Sequence, residues 1–448
     1  MPKTHEWKTF AQWAKTYGDC VYVNVLGQPI VILDSFAAAN DLLKQRSAIY
    51  SSRPRLVTGF TQSMALSPYS ARFLSFRRLI HKELSGNSLQ KYWPLHEDES
   101  RLLIKKVLLD PSLLLDSIRN YAGSVILRVM YGYQTASEDD KFVVMAEKLL
   151  AAFSIGSQPR VWLVDILPWL RHLPSWFPGT EFKRTAARWR QLQMEVAEVP
   201  FNWTVANKDS PDMIRPNFVT TILSQSPDVL PEEDRQHLIW AATSLFGGGT
   251  DTTVSAISSF FLAMAMYPEV QSRAQAEVDK VVTGGRLPRL SDRPNLPYVE
   301  CVMQEVLRWN PVEPLGIPHM STKDDVYRDY HLPAGTIIIA NIWSILHDPI
   351  VFPDPHEFRP ERFLNDKRAV EVNTSAFGFG RRSCPGVYFA EASMFIAICT
   401  ALSQCNISNP TNSRGQKIGK DVEYQTGTVS HPQEFSCNIT PRAGTSGE

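Results

Sequence analysis

Phe377-Gly378-Phe379-Gly380-Arg381-Arg382-Ser383-Cys384-Pro385-Gly386 is the stretch on which the reading of this chain turns. One cysteine follows a glycine-rich loop that carries two arginines. Pro385 suits the first position of a helix, which puts Cys384 at a helix N-terminus with free N–H groups near its sulfur. Such N–H groups and nearby positive charge favour a thiolate. Gly380 and Gly386 let the backbone approach a flat partner closely, and Arg382 is suited to pair with a carboxylate. A zinc site would need further Cys or His close by, and there are none. A nucleophilic cysteine would want a paired histidine and gives no reason for the Phe-Gly-Phe-Gly loop.

Working outward, the segment from Pro231 to Tyr267 predicts one long helix of about 55 Å at 1.5 Å per residue. Pro231 suits its first position, Glu232 and Glu233 its N-terminal dipole, and Pro268 its end. Gly247, Gly248 and Gly249 sit at its middle, each costing about 1 kcal/mol relative to alanine. Thr250, Asp251, Thr252 and Thr253 follow. The Thr252 hydroxyl is spaced to bond back to the Gly248 carbonyl. Two readings fit the cluster: a groove beside an acid and an alcohol, or close helix–helix packing. Glu305 and Arg308, three apart, share a helix face with apolar flanks. If buried, such a pair needs further partners, and Arg362 in Pro360-Glu361-Arg362-Phe363 supplies one.

Together these segments resemble the cytochromes P450. Phe377, Gly380, Arg382, Cys384 and Gly386 are similar to that family's haem-binding signature, and Gly248 to Thr253 to its oxygen-activating helix. Glu305-Val306-Leu307-Arg308 resembles its ExxR motif and Pro360 to Phe363 its PERF motif, all four in family order. The resemblance implies a mainly α fold with small β-sheets, as one catalytic domain over residues 1–448. It implies haem b as cofactor with Cys384 as the iron's axial ligand. Asp251 and Thr252 become the proton-delivery pair, and Glu305, Arg308 and Arg362 a structural triad. Arg382, Arg77 and His319 become the propionate partners. The substrate boundary falls to Ser52–Pro68, Phe246, Pro314-Leu315-Gly316 and Thr428-Val429. Phe73 stands where the family has a tryptophan four residues before Arg77. Finer resemblance points to basidiomycete enzymes of specialised metabolism, whose substrates are terpenoid, indole or polyketide-derived.

The implied activity is insertion of one oxygen atom of O₂ into an apolar small molecule. No dinucleotide fingerprint is present, so electrons are expected from a separate NADPH-cytochrome P450 reductase docking on the Cys384 side. An isomerase or dehydratase that needs no O₂, and a non-catalytic haem- or ligand-binding protein, are the alternatives. Uncoupling of NADPH use in Thr252→Ala would separate the first from a monooxygenase.

The 448 residues carry 46 basic and 46 acidic side chains, a balance that excludes a general nucleic-acid binder. With 44% apolar residues and no linker or repeat, one large core is expected. Cys20, Cys301, Cys399, Cys405 and Cys437 show no framework spacing and read as buried inert thiols. No hydrophobic anchor precedes Trp7, and no uninterrupted apolar run reaches the ~18 residues of a membrane span, Val254 to Tyr267 coming nearest. By family analogy the location is the cytosolic face of the endoplasmic reticulum. Trp162, Trp169 and Trp176, within Pro159–Gly179, suit either a covering loop or a peripheral membrane contact. A hairpin is expected over Val21–Leu33, helices over about Ser35–Ser47, Arg72–Leu84 and Leu102–Met130 with a break at Pro111, and strands over Asp325–Ala340.

Overall fold

The computed structural model describes residues 2, 4–55, 59–135, 140–157, 162–226, 230–364, 368–419 and 422–442. The expected hairpin is present as strands Cys20–Val25 and Gln28–Leu33, joined through Leu26 and Gly27, both at positive φ. Gln28–Leu33 pairs in parallel with Ile337–Ala340, which pairs in turn with His319–Met320, completing a four-stranded sheet. Two further hairpins, Asp325–Tyr327 with Tyr330–Leu332 and Cys405–Asn412 with Phe435–Pro441, are small. The remainder is mostly helical.

Local chemistry sets several boundaries. The Ser35 side chain accepts from the Ala38 N–H and opens Phe36–Ala39, which continues as a π-helical turn over Asn40–Gln45. Ser70 caps Ala71–Leu84. Pro111 splits the next apolar run into Trp93–Leu109 and Leu114–Tyr131. The long helix runs Glu232–Met266, and its Pro231 is the N-cap rather than the first helical residue, with an extended ψ of 142°. Pro268 then opens a new helix, Pro268–Val281, bent 107° from it.

The long helix is the spine of the core. Residues from Val254 to Ala265 are almost all buried, so its C-terminal half is apolar around its circumference, as a helix inside a large core must be. One hydrophobic cluster takes in side chains from Cys20 to Ile439, and a small second one gathers Phe10, Val21 and Ile32. Among the described residues one helix, Val387–Gln404, is long and apolar enough to cross a membrane, and 72% of it is buried. It displaces Val254–Tyr267 as the nearest approach to a span. Residues 159–161 and 56–58, parts of two segments singled out above, lie outside the described residues.

Candidate active site

Cys384 lies on a loop fixed at both ends. Its N–H donates to the Phe377 carbonyl at 2.6 Å, and Arg77, from Ala71–Leu84, donates to the neighbouring Ser383 carbonyl at 2.6 Å. Gly378 and Gly380 take φ of 84° and 56°. Gly380 is required for a reason the sequence does not reveal: a Cβ there would lie 2.3 Å from the Leu43 carbonyl oxygen. The close approach seen in the protein itself is to the π-helical turn. The helix behind the loop starts at Val387, with Gly386 as N-cap. Pro385 therefore precedes the helix, a correction to its expected place at the first helical position. The Gly386 N–H still bonds toward the sulfur and favours the thiolate, as does Arg77, but burial outweighs both and pushes the Cys384 thiol up to about 11. Among the described residues no group of three or more His, Cys, Asp or Glu could hold a metal ion.

Around this loop sit three guanidinium groups that, among the described residues, donate to carbonyls only. Buried Arg382 donates to Ser51 O at 2.7 Å, Met64 O at 3.4 Å and Ser67 O at 2.7 Å, and lies 4.0 Å from the Phe73 ring centroid. Arg53 donates to Ala65 O at 2.9 Å, Ile317 O at 2.6 Å and Pro318 O at 3.0 Å. Burial and the nearby Arg382 push Arg53 down to about 9, and burial and Arg77 push Arg382 down to about 10. His319 joins them; its Nδ1 bonds Tyr50 O at 2.7 Å, and burial and Arg53 push its pKa well below the usual value. No carboxylate pairs with Arg53, Arg77 or Arg382 among the described residues. Phe73, in place of a tryptophan, offers no N–H, but its ring supports Arg382. Arg53 was not singled out from the sequence, because no motif marks a lone arginine, two of whose three partners lie 264 and 265 positions later.

The long helix carries the opposing groups. No heavy atom lies within 4 Å of where a Cβ would stand on Gly247 or Gly248, whereas Gly249 meets Ile126 at 3.1 Å. Both readings of the glycine cluster therefore hold, divided by residue. Thr252 Oγ1 donates to the Gly248 carbonyl at 2.6 Å. Asp251 Oδ1 lies 3.0 Å from Nε2 of His431, a partner with no sequence signal. The turn bearing His431 is held by Ser430: its carbonyl accepts from Ser255 Oγ and Asn310 Nδ2, and its N–H donates to Val312 O. Two residues expected at a substrate boundary lie elsewhere. Phe246 is fully buried, edge-on to Tyr131, and Leu315 packs on the Phe10, Val21 and Ile32 cluster.

Glu305, Arg308 and Arg362 come together as one buried network. Arg308 forks onto Glu305 at 2.7 and 2.9 Å, and Arg362 Nε reaches Glu305 Oε1 at 3.2 Å. The Arg359 N–H also donates to Glu305 at 2.7 Å, and Arg308 donates to the Leu346 and Pro355 carbonyls.

Comparison with known proteins agrees with this arrangement. The cytochrome P450 family profile matches residues 2–437. Cytochrome P450 monooxygenase 226 of Postia placenta is 39% identical over 99% of this chain and 85% of its own length. Cytochrome P450 monooxygenase claR of Ampulloclitocybe clavipes is 41% identical over 100% and 84%. A zebrafish cytochrome P450 solved with progesterone superposes with a TM-score of 0.78 at 24% identity, over 99% of this chain and all of that one. The fold is the P450 fold, and this chain belongs to the cytochrome P450 family as one of its monooxygenases.

Proposed function

We propose that this chain, acting as a single catalytic domain, binds haem b and hydroxylates or otherwise oxygenates an apolar small molecule of fungal specialised metabolism. The observation that carries the haem is the cation cluster. Arg53, Arg382 and Arg77 are wholly or partly buried, their hydrogen bonds among the described residues go to carbonyls alone, and buried charge is costly unless countered. A ring with two carboxylates, set between that cluster and the Cys384 sulfur, fits the donors present. Cys384 would be the axial ligand, Arg53, Arg382, Arg77 and His319 the propionate partners. The bound iron's positive charge favours the thiolate that burial alone disfavours.

Bound haem supplies reductive activation of O₂ and transfer of one oxygen atom to the substrate, the other leaving as water. The residues of the long helix handle protons. Asp251 and His431 form a partly exposed pair through which a proton passes between the imidazole and the carboxylate. The Thr252 hydroxyl hydrogen is engaged by Gly248, so Oγ1 presents lone pairs to a donor in the groove, and that bond must exchange before Thr252 passes a proton on. Gly248, with open space where a Cβ would stand, leaves room for that exchange.

Electrons come from NADPH-cytochrome P450 reductase, by family analogy, docking on the Cys384 face where Arg381 is exposed. Relatives from fungi support the substrate class. Trp169 and Trp176, 60% and 81% exposed, support a peripheral membrane contact at the endoplasmic reticulum. The deciding experiment is the spectrum of the reduced, CO-bound protein: a thiolate-type Soret band is expected, and is lost in Cys384→Ser. A folded wild-type protein without that band overturns the reading.

A further inference from the structure

The helices Trp93–Leu109 and Leu114–Tyr131 pack side by side, and a cleft opens between them. Glu99, Leu102, Leu103 and Lys106 line it from the first helix. Ser117, Asn120, Tyr121 and Ser124 line it from the second, with Gln134 and Thr135 completing the wall. Each set of four has the spacing of one helix face, and the two faces look at each other. Facing helices usually interlock apolar side chains. Here one face offers two serine hydroxyls, an amide and a phenol, and a space of about 210 Å³ stays open. Ile126, which meets Gly249 of the long helix, lies roughly 200° round its helix from Ser124. The cleft is therefore on the opposite face of that helix from the long helix, and distinct from the volume between Asp251 and Cys384.

The lining holds hydrogen-bonding capacity that the fold leaves unused. Ser117 is 1% exposed, yet its Oγ has no partner. Glu99 is 4% exposed and gives Oε1 to Arg128 Nη1 at 2.6 Å, while its Oε2 accepts from nothing among the described residues. The Arg128 Nε likewise has no partner. Buried polar groups left in this state cost stability, and several around one cavity mark a place where a ligand supplies the missing bonds.

The lining also narrows the class of ligand. Arg128 already counters the Glu99 charge, so Glu99 Oε2 is an acceptor in a neutral setting and suits an O–H donor better than a cation. The short connection between the helices makes them antiparallel, which sets Glu99 level with Ser124, and Leu102 and Leu103 level with Asn120 and Tyr121. Ser117 lies one layer further, about 10 Å along the helix from Ser124. Polar groups thus stand at both ends with two leucines between them. The volume is that of roughly seven waters, below a drug-sized site and enough for one hydroxylated ring. We propose that this cleft binds a small neutral polyol, a sugar ring or cyclitol. Its hydroxyls meet Ser117 and Glu99, and its C–H face lies on Leu102 and Leu103. The proposal does not rest on the haem reading.

The test is saturation-transfer NMR on the purified holoprotein, with myo-inositol as probe and cyclohexanol and D-glucuronate as apolar and anionic controls. Wild type should bind myo-inositol saturably with a Kd of about 1–10 mM, the range open to so small a ligand, and both controls about tenfold more weakly. Ser117→Ala removes the unpartnered hydroxyl. Binding should fall about tenfold while the melting temperature holds or rises, because a buried polar group without a partner has gone. Asn120→Phe fills the cleft and should abolish binding. No saturable signal in wild type means a cleft holding ordered water only, and overturns the proposal. Equal affinity for either control does the same, as does a Kd unchanged within about twofold in both variants. A lower melting temperature in Ser117→Ala would assign that hydroxyl to the fold and count equally against the site.

Discussion

Two arginine clusters in this molecule are buried to a similar degree and are built in opposite ways. In the first, Glu305 sits between Arg308 and Arg362, with Arg308 and Glu305 fully inaccessible. Every charge there has a partner of opposite sign within 3.2 Å. In the second, Arg53, Arg77 and Arg382 near Cys384 donate hydrogen bonds to carbonyl oxygens alone among the described residues, and Glu313, the acid whose charge Arg53 feels, forms no ion pair with it. A carbonyl satisfies a guanidinium's hydrogen-bonding geometry and leaves most of its charge uncountered. The first cluster is complete as the chain folds, and so is scaffold. The second is incomplete until an anion arrives, and so is a site. Burial of arginine alone does not separate these roles; a directly paired carboxylate does.

The comparison breaks most visibly at Glu305. Glu305→Gln keeps the shape of the side chain and leaves two buried guanidinium groups unpaired, for a loss of about 3–5 kcal/mol. Thermal melting should show the holoprotein strongly destabilised or not recovered folded. Arg53→Met should act in the opposite way. It removes a buried cation that costs the fold, so far-UV circular dichroism is unchanged. Haem, however, should pass to an excess of haem-free globin about a hundredfold faster, equivalent to about 2–3 kcal/mol. If Arg53→Met unfolds the protein while Glu305→Gln is tolerated, the assignment of scaffold and site is reversed.

The scaffold was the more legible of the two in the sequence. Glu305 and Arg308 are one helical turn apart, and local spacing suffices to pair them. Cys384, Gly380 and Arg382 likewise fall within one loop. Arg53 and His431 carry no such signal, since each gains its meaning from a partner that only the folded chain brings near. Asp251 and His431 are separated by 180 positions. The two misplaced prolines, Pro231 and Pro385, fail for a local reason. Proline's fixed φ is as compatible with the residues just before a helix as with its first position. What decides is which carbonyl accepts the first helical bond: Pro231 O accepts from Arg235 N–H, and Gly386 O from Ala390 N–H.

A third buried base sharpens the contrast, because it can surrender its charge. His96, on Trp93–Leu109, is wholly inaccessible, with Nδ1 3.0 Å from Ser393 Oγ and Nε2 without a partner. Burial pushes its pKa down to about 3. Folded protein then holds His96 neutral while unfolded chain takes up a proton below about pH 6.5. Its contribution is harmless above that pH and becomes destabilising as pH falls from 6.5 toward 3, reaching about 2 kcal/mol at pH 5. His96→Phe should flatten the stability profile between pH 6.5 and 5, measured by thermal melting of the holoprotein. An arginine cannot escape in this way, which is why the cluster at Cys384 calls for an anion.

The Asp251–His431 pair belongs to neither class, and the smallest effect is expected there. Both side chains keep some solvent access, at 33% and 21%, so neither depends on the other for stability. His431→Phe should leave melting and the CO spectrum unchanged. What it removes is the imidazole that exchanges protons with Asp251. Turnover should slow a few-fold, with more reducing equivalent consumed per product formed and a larger solvent isotope effect. A charge pair kept for stability would instead change the melt and leave the stoichiometry alone, so the two measurements together assign the pair to proton traffic or to scaffold.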